Sequence, residues 1–357
     1  MRSSPVFSFP SLFLSGDIMQ ENVDRICPHE CRAVESDRNT VDSVEIISHG
    51  DVDGVCAAAL LLAAHPNAKM TFTQPTQIED ALKNTNARLV LIADIAFPAI
   101  PKRRDDLVAL LQSMGNAGRT VRWYDHHANP PVELPGVLIV IRSRDMSASM
   151  LVYRLTASVP RNLERVARYG NITDGYEKTW DEFERHEIRL LDFALRSSIN
   201  DQEFRSRVAR TLSQGGQVSE VAGVEERCKA TEHLFAETRR KVSLALQPKA
   251  DKLLVSFVKD PNYGVMGRIA SELSGSMDTV VAILFPDEIQ PDKYVILTIR
   301  RPREWARPNL SDVMNDLVSQ LGDGCEGGGH PGSVGGKILR EHAERFVSLL
   351  AADATKW

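Results

Sequence analysis

Leu89–Ile95 is a near-continuous apolar run, interrupted only by Asp94. A strand of that kind is buried on both faces, which is the setting of a parallel sheet covered by helices. Its surroundings fit. Val44–Ser48 reads as a strand, Val55–Ala64 as an Ala- and Leu-rich helix and Met70–Gln74 as a strand. Thr76–Lys83 reads as a short helix with Thr76 and Glu79 spaced as a capping box. Arg103–Met114 follows as a helix, then Thr120–Tyr124 and Val137–Ile141 as strands. Such alternation predicts a doubly wound, mostly parallel α/β sheet.

Residues 147–246 read as mostly helical, over Ser147–Ala167, Asp181–Ser197, Gln202–Leu212 and a charged stretch, Val218–Leu246, ended by Pro248. From Leu253 a second α/β pattern runs strand (Leu253–Val258), helix (Val265–Leu273), strands (Thr279–Phe285 and Tyr294–Arg300) and helix (Ser311–Leu321). A glycine loop and a last helix (Ser333–Leu350) complete it. The expected organisation is a poorly ordered leader (1–40), an α/β domain (41–215), a helical connector (216–249) and a smaller α/β C-terminal domain (250–357). A cleft is expected between the two domains.

The 357 residues are 43% hydrophobic and 25% charged, with a net charge of −5. That is an ordinary globular composition, and it argues against a broad basic surface for long duplex nucleic acid. Five scattered cysteines do not suggest a disulfide framework. Cys27-Pro28-His29-Glu30-Cys31 has the spacing of half a zinc site, but with no evident second half it reads rather as a polar loop. No apolar run approaches the ~18–20 residues of a membrane span. Pro5–Leu14 is weak as a signal peptide, with Met19 as an alternative start. A cytoplasmic protein is expected.

The chemistry lies in five strings read as sitting at strand ends: Ser48-His49-Gly50-Asp51-Val52-Asp53-Gly54, Ile92-Ala93-Asp94, Asp125-His126-His127, Asn171-Ile172-Thr173-Asp174 and Gly327-Gly328-Gly329-His330. Clustered carboxylates repel one another and raise each other's pKa unless a cation neutralises them. Asp53, Asp94 and Asp125 follow at intervals of 41 and 31 residues, compatible with βαβ steps. Each motif then lies at the carboxyl end of a parallel strand, where open α/β sheets bind ligands. Oxygen and imidazole donors without thiol suit two divalent ions, Mn²⁺ ahead of Mg²⁺. Taken singly, Asp51-Val52-Asp53-Gly54 is also a turn with a helix N-cap, Asp125-His126-His127 before Asn129-Pro130-Pro131 a polar junction, and Asp174 before Gly175 a turn. Unrelated turns have no reason to recur in this order on one frame.

Together these strings resemble the DHH phosphoesterase superfamily, in the subfamily that carries the DHH-associated C-terminal domain, over roughly residues 41–350. The superfamily includes RecJ-type exonucleases, nano-RNases, bisphosphate phosphatases and cyclic-dinucleotide phosphodiesterases. The resemblance implies that His49, Asp51 and Asp94 hold one metal ion, and that Asp53, Asp94, His126 and Asp174 hold the other, with Asp94 bridging. It implies that His127 faces the substrate phosphate and that Asp125 orients the histidines. One departure stands out: Ile95-Ala96-Phe97 follows Asp94 in place of a polar or glycine residue, which puts the shape of that loop in question.

Gly327, Gly328, Gly329 and His330, followed by Pro331-Gly332 and a helix, read as an anion cradle whose backbone N–H groups approach a phosphate. The resemblance places this loop on the terminal nucleotide. Arg300 is expected to contact substrate. Arg301, Arg303 and Arg307 around Trp305 read either as a phosphate-and-base platform or as a solvated strand end. Lys337 and Arg340 read as surface charge.

The expected activity is two-metal hydrolysis of short nucleotide substrates: oligoribonucleotides, dinucleotides or a nucleoside bisphosphate. The alternatives are a RecJ-like exonuclease on longer single strands and a catalytically weak scaffold of a replication or repair complex. Expected partners are short single-stranded nucleic acid or a nucleotide, and a second copy of the chain; no membrane is expected.

Overall fold

The computed structural model describes residues 43–98, 100–127, 134, 136–198 and 200–357. The leader, the Cys27–Cys31 string and the Asn129-Pro130-Pro131 turn lie outside the described residues. The first layer is built from β1 (Val44–Ser48), α1 (Val52–Ala64), β2 (Lys69–Phe72), α2 (Ile78–Lys83), β3 (Leu89–Ala93), α3 (Pro101–Asn116), β4 (Thr120–Asp125) and β5 (Leu138–Arg142). All five strands are parallel, in the order β2-β1-β3-β4-β5. The chain leaves β1 toward β2 on one side and reaches β3 on the other, so the crevice lies between the carboxyl ends of β1 and β3.

Register sets the height of the motifs. Ser48 pairs with Ala93 and Ala93 with Tyr124, so His49, Asp94 and Asp125 leave the sheet at one level. Every residue of β3 is buried, as its apolar sequence demands. One face is covered by α3, whose Leu107, Leu111 and Met114 pack on Val90, Ile92 and Trp123. The other is covered by α1, buried from Val52 to Leu62. A helix apolar on all sides needs cover on its outer face as well. That cover comes from α4 (Ala148–Leu155), α5 (Glu164–Thr173) and α7 (Gln202–Ser213).

Three local expectations fail for identifiable reasons. The helix expected over Ser147–Ala167 is two, α4 and α5, because Pro160 cannot continue a helix and pushes the residue before it into extended backbone. The Thr76/Glu79 capping box does not form: Pro75–Gln77 is a 3₁₀ turn, and Glu79 pairs with Arg103 instead. Pro248 does not end the long helix; it lies in an edge strand, where a missing N–H costs nothing.

Next come α6 (Glu182–Arg196), opened by a complete Asp181/Glu184 capping box, and α8 (Val224–Ala245), which packs on it. The second sheet contains β6 (Gln247–Ala250), β7 (Leu253–Phe257), β8 (Val280–Pro286), β9 (Tyr294–Arg300), β10 (Glu326–His330) and β11 (Ser333–Leu339) in the order β10-β11-β9-β8-β7-β6. Only β7 and β8 pair in parallel. Helices α9 (Met266–Met277), α10 (Leu310–Leu321) and α11 (Ala343–Ala354) accompany it, with α10 and α11 closing a core around Phe346. The glycine string is therefore a strand paired antiparallel with β11, and the last helix begins at Ala343, not Ser333. Arg103 on α3 pairs with Glu326 on β10 at 3.1 Å, and Arg268 on α9 pairs with Asp192 on α6. No helix among the described residues is long and apolar enough to cross a membrane.

Helix α1 starts so tightly beneath the β1 end that a Cβ on Gly54 would stand 2.3 Å from the His49 carbonyl oxygen. Gly54→Ala is therefore expected to cost about 1–3 kcal/mol in urea unfolding. Gly275→Ala, on the exposed side of α9 with nothing within 4 Å of the added atom, is expected to gain about 0.5–1 kcal/mol.

Candidate metal centre

Asp51 is both the helix cap and a site group, so neither of its sequence readings excludes the other. Its Oδ1 accepts from the Gly54 N–H at 3.1 Å and its Oδ2 lies 3.1 Å from His49 Nδ1. The other His49 nitrogen meets Gln74 Oε1 at 3.3 Å, which fixes the ring. Asp53, in the first turn of α1, is held by the start of α4: Ala148 N–H at 2.8 Å, Ser149 N–H at 3.0 Å and Ser149 Oγ–H at 2.5 Å. A helix N-terminus suits a carboxylate.

Asp94 has φ 57°, in the left-handed region, one turn-forming step beyond β3. Non-glycine residues there cost roughly 1–3 kcal/mol and gather at functional sites. The apolar residues after it serve packing: Phe97 lies against the Trp123 ring, and the Ile95 carbonyl accepts from Trp123 Nε1. Asp94 Oδ1 is 3.1 Å from His126 Nε2. Its Oδ2 is buried with no hydrogen-bond donor among the described residues, and His49 Nδ1 is 3.5 Å away.

Asp174 reaches the same place from the C-terminal cap of α5 rather than from a strand end, with its Oδ2 3.3 Å from His126 Nε2. Asp125 was expected to orient both histidines. It holds His127, Nδ1 to Oδ1 at 2.7 Å, while His126 Nδ1 bonds the Tyr176 hydroxyl at 3.0 Å. Tyr176, Ser149 and Gln74 escape sequence reasoning because a lone Tyr, Ser or Gln carries no spacing signal; closeness to Asp174 in sequence is the one cue that could have pointed to Tyr176.

The ligand-type atoms fall into overlapping groups, each within 4.8 Å: His49, Asp51, Asp94; Asp53, Asp94, His126, Asp174; and His126, His127, His330. The first two share Asp94. The third brings in the second sheet, since the His330 ring lies 4.5 Å from that of His127 and 4.9 Å from that of His126. Gly329, at φ 140°, has no room for a side chain, because a Cβ would stand 2.4 Å from the Ser333 carbonyl oxygen. Gly327 packs on Met314, and Gly328 faces open space.

Arg300 ends β9 half-buried, donating from Nη1 to the Ile299 and Val334 carbonyls at 2.9 and 2.8 Å. Beside it lie Gly267, in the first turn of α9, and Thr298 Oγ1, buried with no hydrogen-bond partner among the described residues. The helix cap there, Val265, offers no side-chain acceptor. A guanidinium, a hydroxyl and an uncapped helix start together suit an anion. The platform around Trp305 does not form at this site: Trp305 Nε1 donates to Asp278, its ring packs on the second core, and Arg303 and Arg307 are exposed. Arg301 braces the Pro331 carbonyl, and Lys337 pairs with Asp287.

The electrostatics follow from crowding. Burial, then Asp51 and Asp53, push the Asp94 carboxyl well above the usual range; burial and then Asp53 do the same to Asp174. Burial alone would lower His49, but Asp51 and Asp94 outweigh it and hold its pKa up. Burial opposes ionisation of Asp51, and His49 with the Gly54 N–H overcomes it. Burial, then His127 and His126, drive His330 down to about 2, which keeps it neutral. Burial takes Arg300 to about 10. Oxygen and imidazole donors around an orphaned, buried carboxylate oxygen fit hard divalent cations.

Residues 250–356 match the DHHA1 domain family. Three solved structures share the fold. Exonuclease RecJ bound to manganese is 16% identical, covering 92% of this chain and 94% of that one, with a TM-score of 0.61. The DHH domain of a member of a ribosomal protein family is 14% identical, covering 95% and 99%, with a TM-score of 0.63. The pGpG-specific phosphodiesterase PggH from Vibrio cholerae is 13% identical, covering 88% and 99%, with a TM-score of 0.50. At these identities the likeness is one of fold. No curated protein matches the chain.

Asp94→Asn tests the crowding. In the folded, metal-free protein Asp94 binds its proton more tightly than in the unfolded chain, so its contribution to stability falls as pH rises above the unfolded value of 3.8. Metal-free Asp94→Asn is therefore expected to melt with wild type below that pH and above it at pH 7.5. Added Mn²⁺ is expected to reverse the order by stabilising wild type alone.

Proposed function

We propose, from the premise that this chain is a DHH superfamily protein ending in a DHHA1 domain, that it is a metal-dependent phosphodiesterase that hydrolyses short nucleotide substrates. The observation that carries this is Asp94: one carboxylate common to two ligand groups, with a buried oxygen that no protein donor satisfies among the described residues. His49, Asp51 and Asp94 would hold one ion, and Asp53, Asp94, His126 and Asp174 the other, with Mn²⁺ favoured by the imidazoles. Such ions lower the pKa of water and offset charge on the attacked phosphoryl group.

The chain's own groups have separate tasks. Asp125 holds His127 by Nδ1, which leaves Nε2 to serve the phosphate or the leaving oxygen. His330, kept neutral, is a hydrogen-bonding group beside His127 rather than a charge. Gly328 leaves space along the edge strand for a backbone or base to approach. Arg300, Thr298 and the start of α9 would receive a terminal phosphate. The acidic net charge favours substrates a few nucleotides long. A RecJ-like action on longer single strands is the second reading, favoured by the fold it shares with that exonuclease over most of both chains. Two complete ligand groups weigh against a pure scaffold.

A panel of single strands from two to thirty nucleotides, with dinucleotides, cyclic dinucleotides and a nucleoside bisphosphate, separates these readings. Mn²⁺-dependent turnover is expected to be fastest on the shortest strands; rates that climb with length would establish the exonuclease reading instead. His127→Asn is expected to lower kcat by about 10²–10⁴-fold. Arg300→Met is expected to raise KM for substrates with a terminal phosphate by roughly 10-fold or more, and to leave unphosphorylated ones nearly unchanged.

A further inference from the structure

Arg205, on α7, is only 2% exposed, and no sequence motif contains it. Its guanidinium is spent on backbone carbonyls: Nε donates to Gly50 at 2.9 Å, Nη1 to Ser198 at 2.7 Å and Asp201 at 3.2 Å, and Nη2 to Leu195 at 3.0 Å. Leu195 and Ser198 lie at the end of α6, where carbonyls lack helical partners and a cation is favourable. Gly50 lies between His49 and Asp51. A Cβ on Gly50 would come 2.7 Å from Arg205 Nε, so the glycine and the guanidinium fit each other directly. One rigid fork thus ties the β1–α1 turn to the ends of two helices.

The two ligand groups do not depend equally on this turn. His49 and Asp51 flank the gripped carbonyl. Asp53 is fixed separately by Ala148 and Ser149, His126 by Tyr176, and Asp174 by the end of α5. We propose that Arg205 is a positioning residue for one metal ion of the pair, the ion held by His49, Asp51 and Asp94, and that it has little influence on the other. This inference rests on the metal reading above and goes beyond it by making the two sites separable through a residue that touches neither ion.

The test counts bound Mn²⁺ by electron paramagnetic resonance, independently of turnover, in full-length Arg205→Met and Arg205→Lys; the lysine variant retains a cation at the α6 end should the methionine variant fail to fold. Wild type is expected to bind two ions, and the variants to weaken one of them about 10- to 100-fold, the usual scale for losing a group that orients a ligand. Asp51→Asn and Asp174→Asn supply the assignment. Adding Arg205→Lys to Asp51→Asn is expected to cost no further affinity, whereas adding it to Asp174→Asn weakens the remaining ion by the same factor of about 10- to 100-fold. Raising Mn²⁺ is expected to restore kcat. Unchanged affinity at both sites, a full additional loss on the Asp51→Asn background, or equal loss at both sites with a fall in metal-free melting temperature would each overturn the proposal. A wild-type protein that binds no Mn²⁺ would instead overturn the metal reading itself.

Discussion

Carboxylates that repel one another are held together here at the carboxyl end of a parallel sheet, and the rest of the site is arranged around that repulsion. Asp51, Asp53, Asp94 and Asp174 come from four different positions along the chain, yet their oxygens converge on two overlapping groups. Burial makes the problem harder, because a low-polarity surround strengthens like-charge repulsion and disfavours every charged form. Protons or cations must make up the difference. The raised Asp94 and Asp174 carboxyls and the raised His49 are what the cluster does with protons alone.

The scaffold tolerates this concentration of charge because most of these side chains are fixed from behind. Parallel register sets His49, Asp94 and Asp125 at one level. The start of α4 holds Asp53, Gln74 holds His49, Tyr176 holds His126, and Asp125 holds His127. The left-handed backbone at Asp94 is held by neighbours that have nothing to do with ligation, Phe97 and Trp123. A site pre-organised in this way loses little on binding a cation, because few of its groups remain to be ordered. The second sheet contributes the His330 imidazole and an edge strand with three consecutive glycines, Gly327, Gly328 and Gly329.

Much of this was legible in the sequence. The apolar β3, the strand–helix alternation and the acidic motifs at intervals compatible with crossovers all depend on local pattern, and local pattern is what a sequence displays. The misplaced pieces depended on tertiary choice. Asp174 caps a helix, because Asn171-Ile172-Thr173 belongs to the last turn of α5 and not to a strand. Four glycine and histidine residues have no β-propensity, yet Glu326–His330 is a strand, because β11 offers a partner and Met314 leaves no room for a side chain at Gly327. Trp305 among arginines reads either as a base platform or as a solvated strand end, and it packs on the core instead, since an indole beside arginines carries the same signal in each role. Tyr176, Ser149 and Arg205 have no motif at all; their importance exists only once the chain is folded.

In the function proposed above, Asp94 serves two cations at once. Crystals soaked in Mn²⁺ and measured at the manganese absorption edge test that directly. Two anomalous peaks flanking Asp94, one toward His49 and Asp51 and the other toward Asp53, His126 and Asp174, are the result expected. A single peak, or peaks away from Asp94 such as one among His126, His127 and His330, would contradict it.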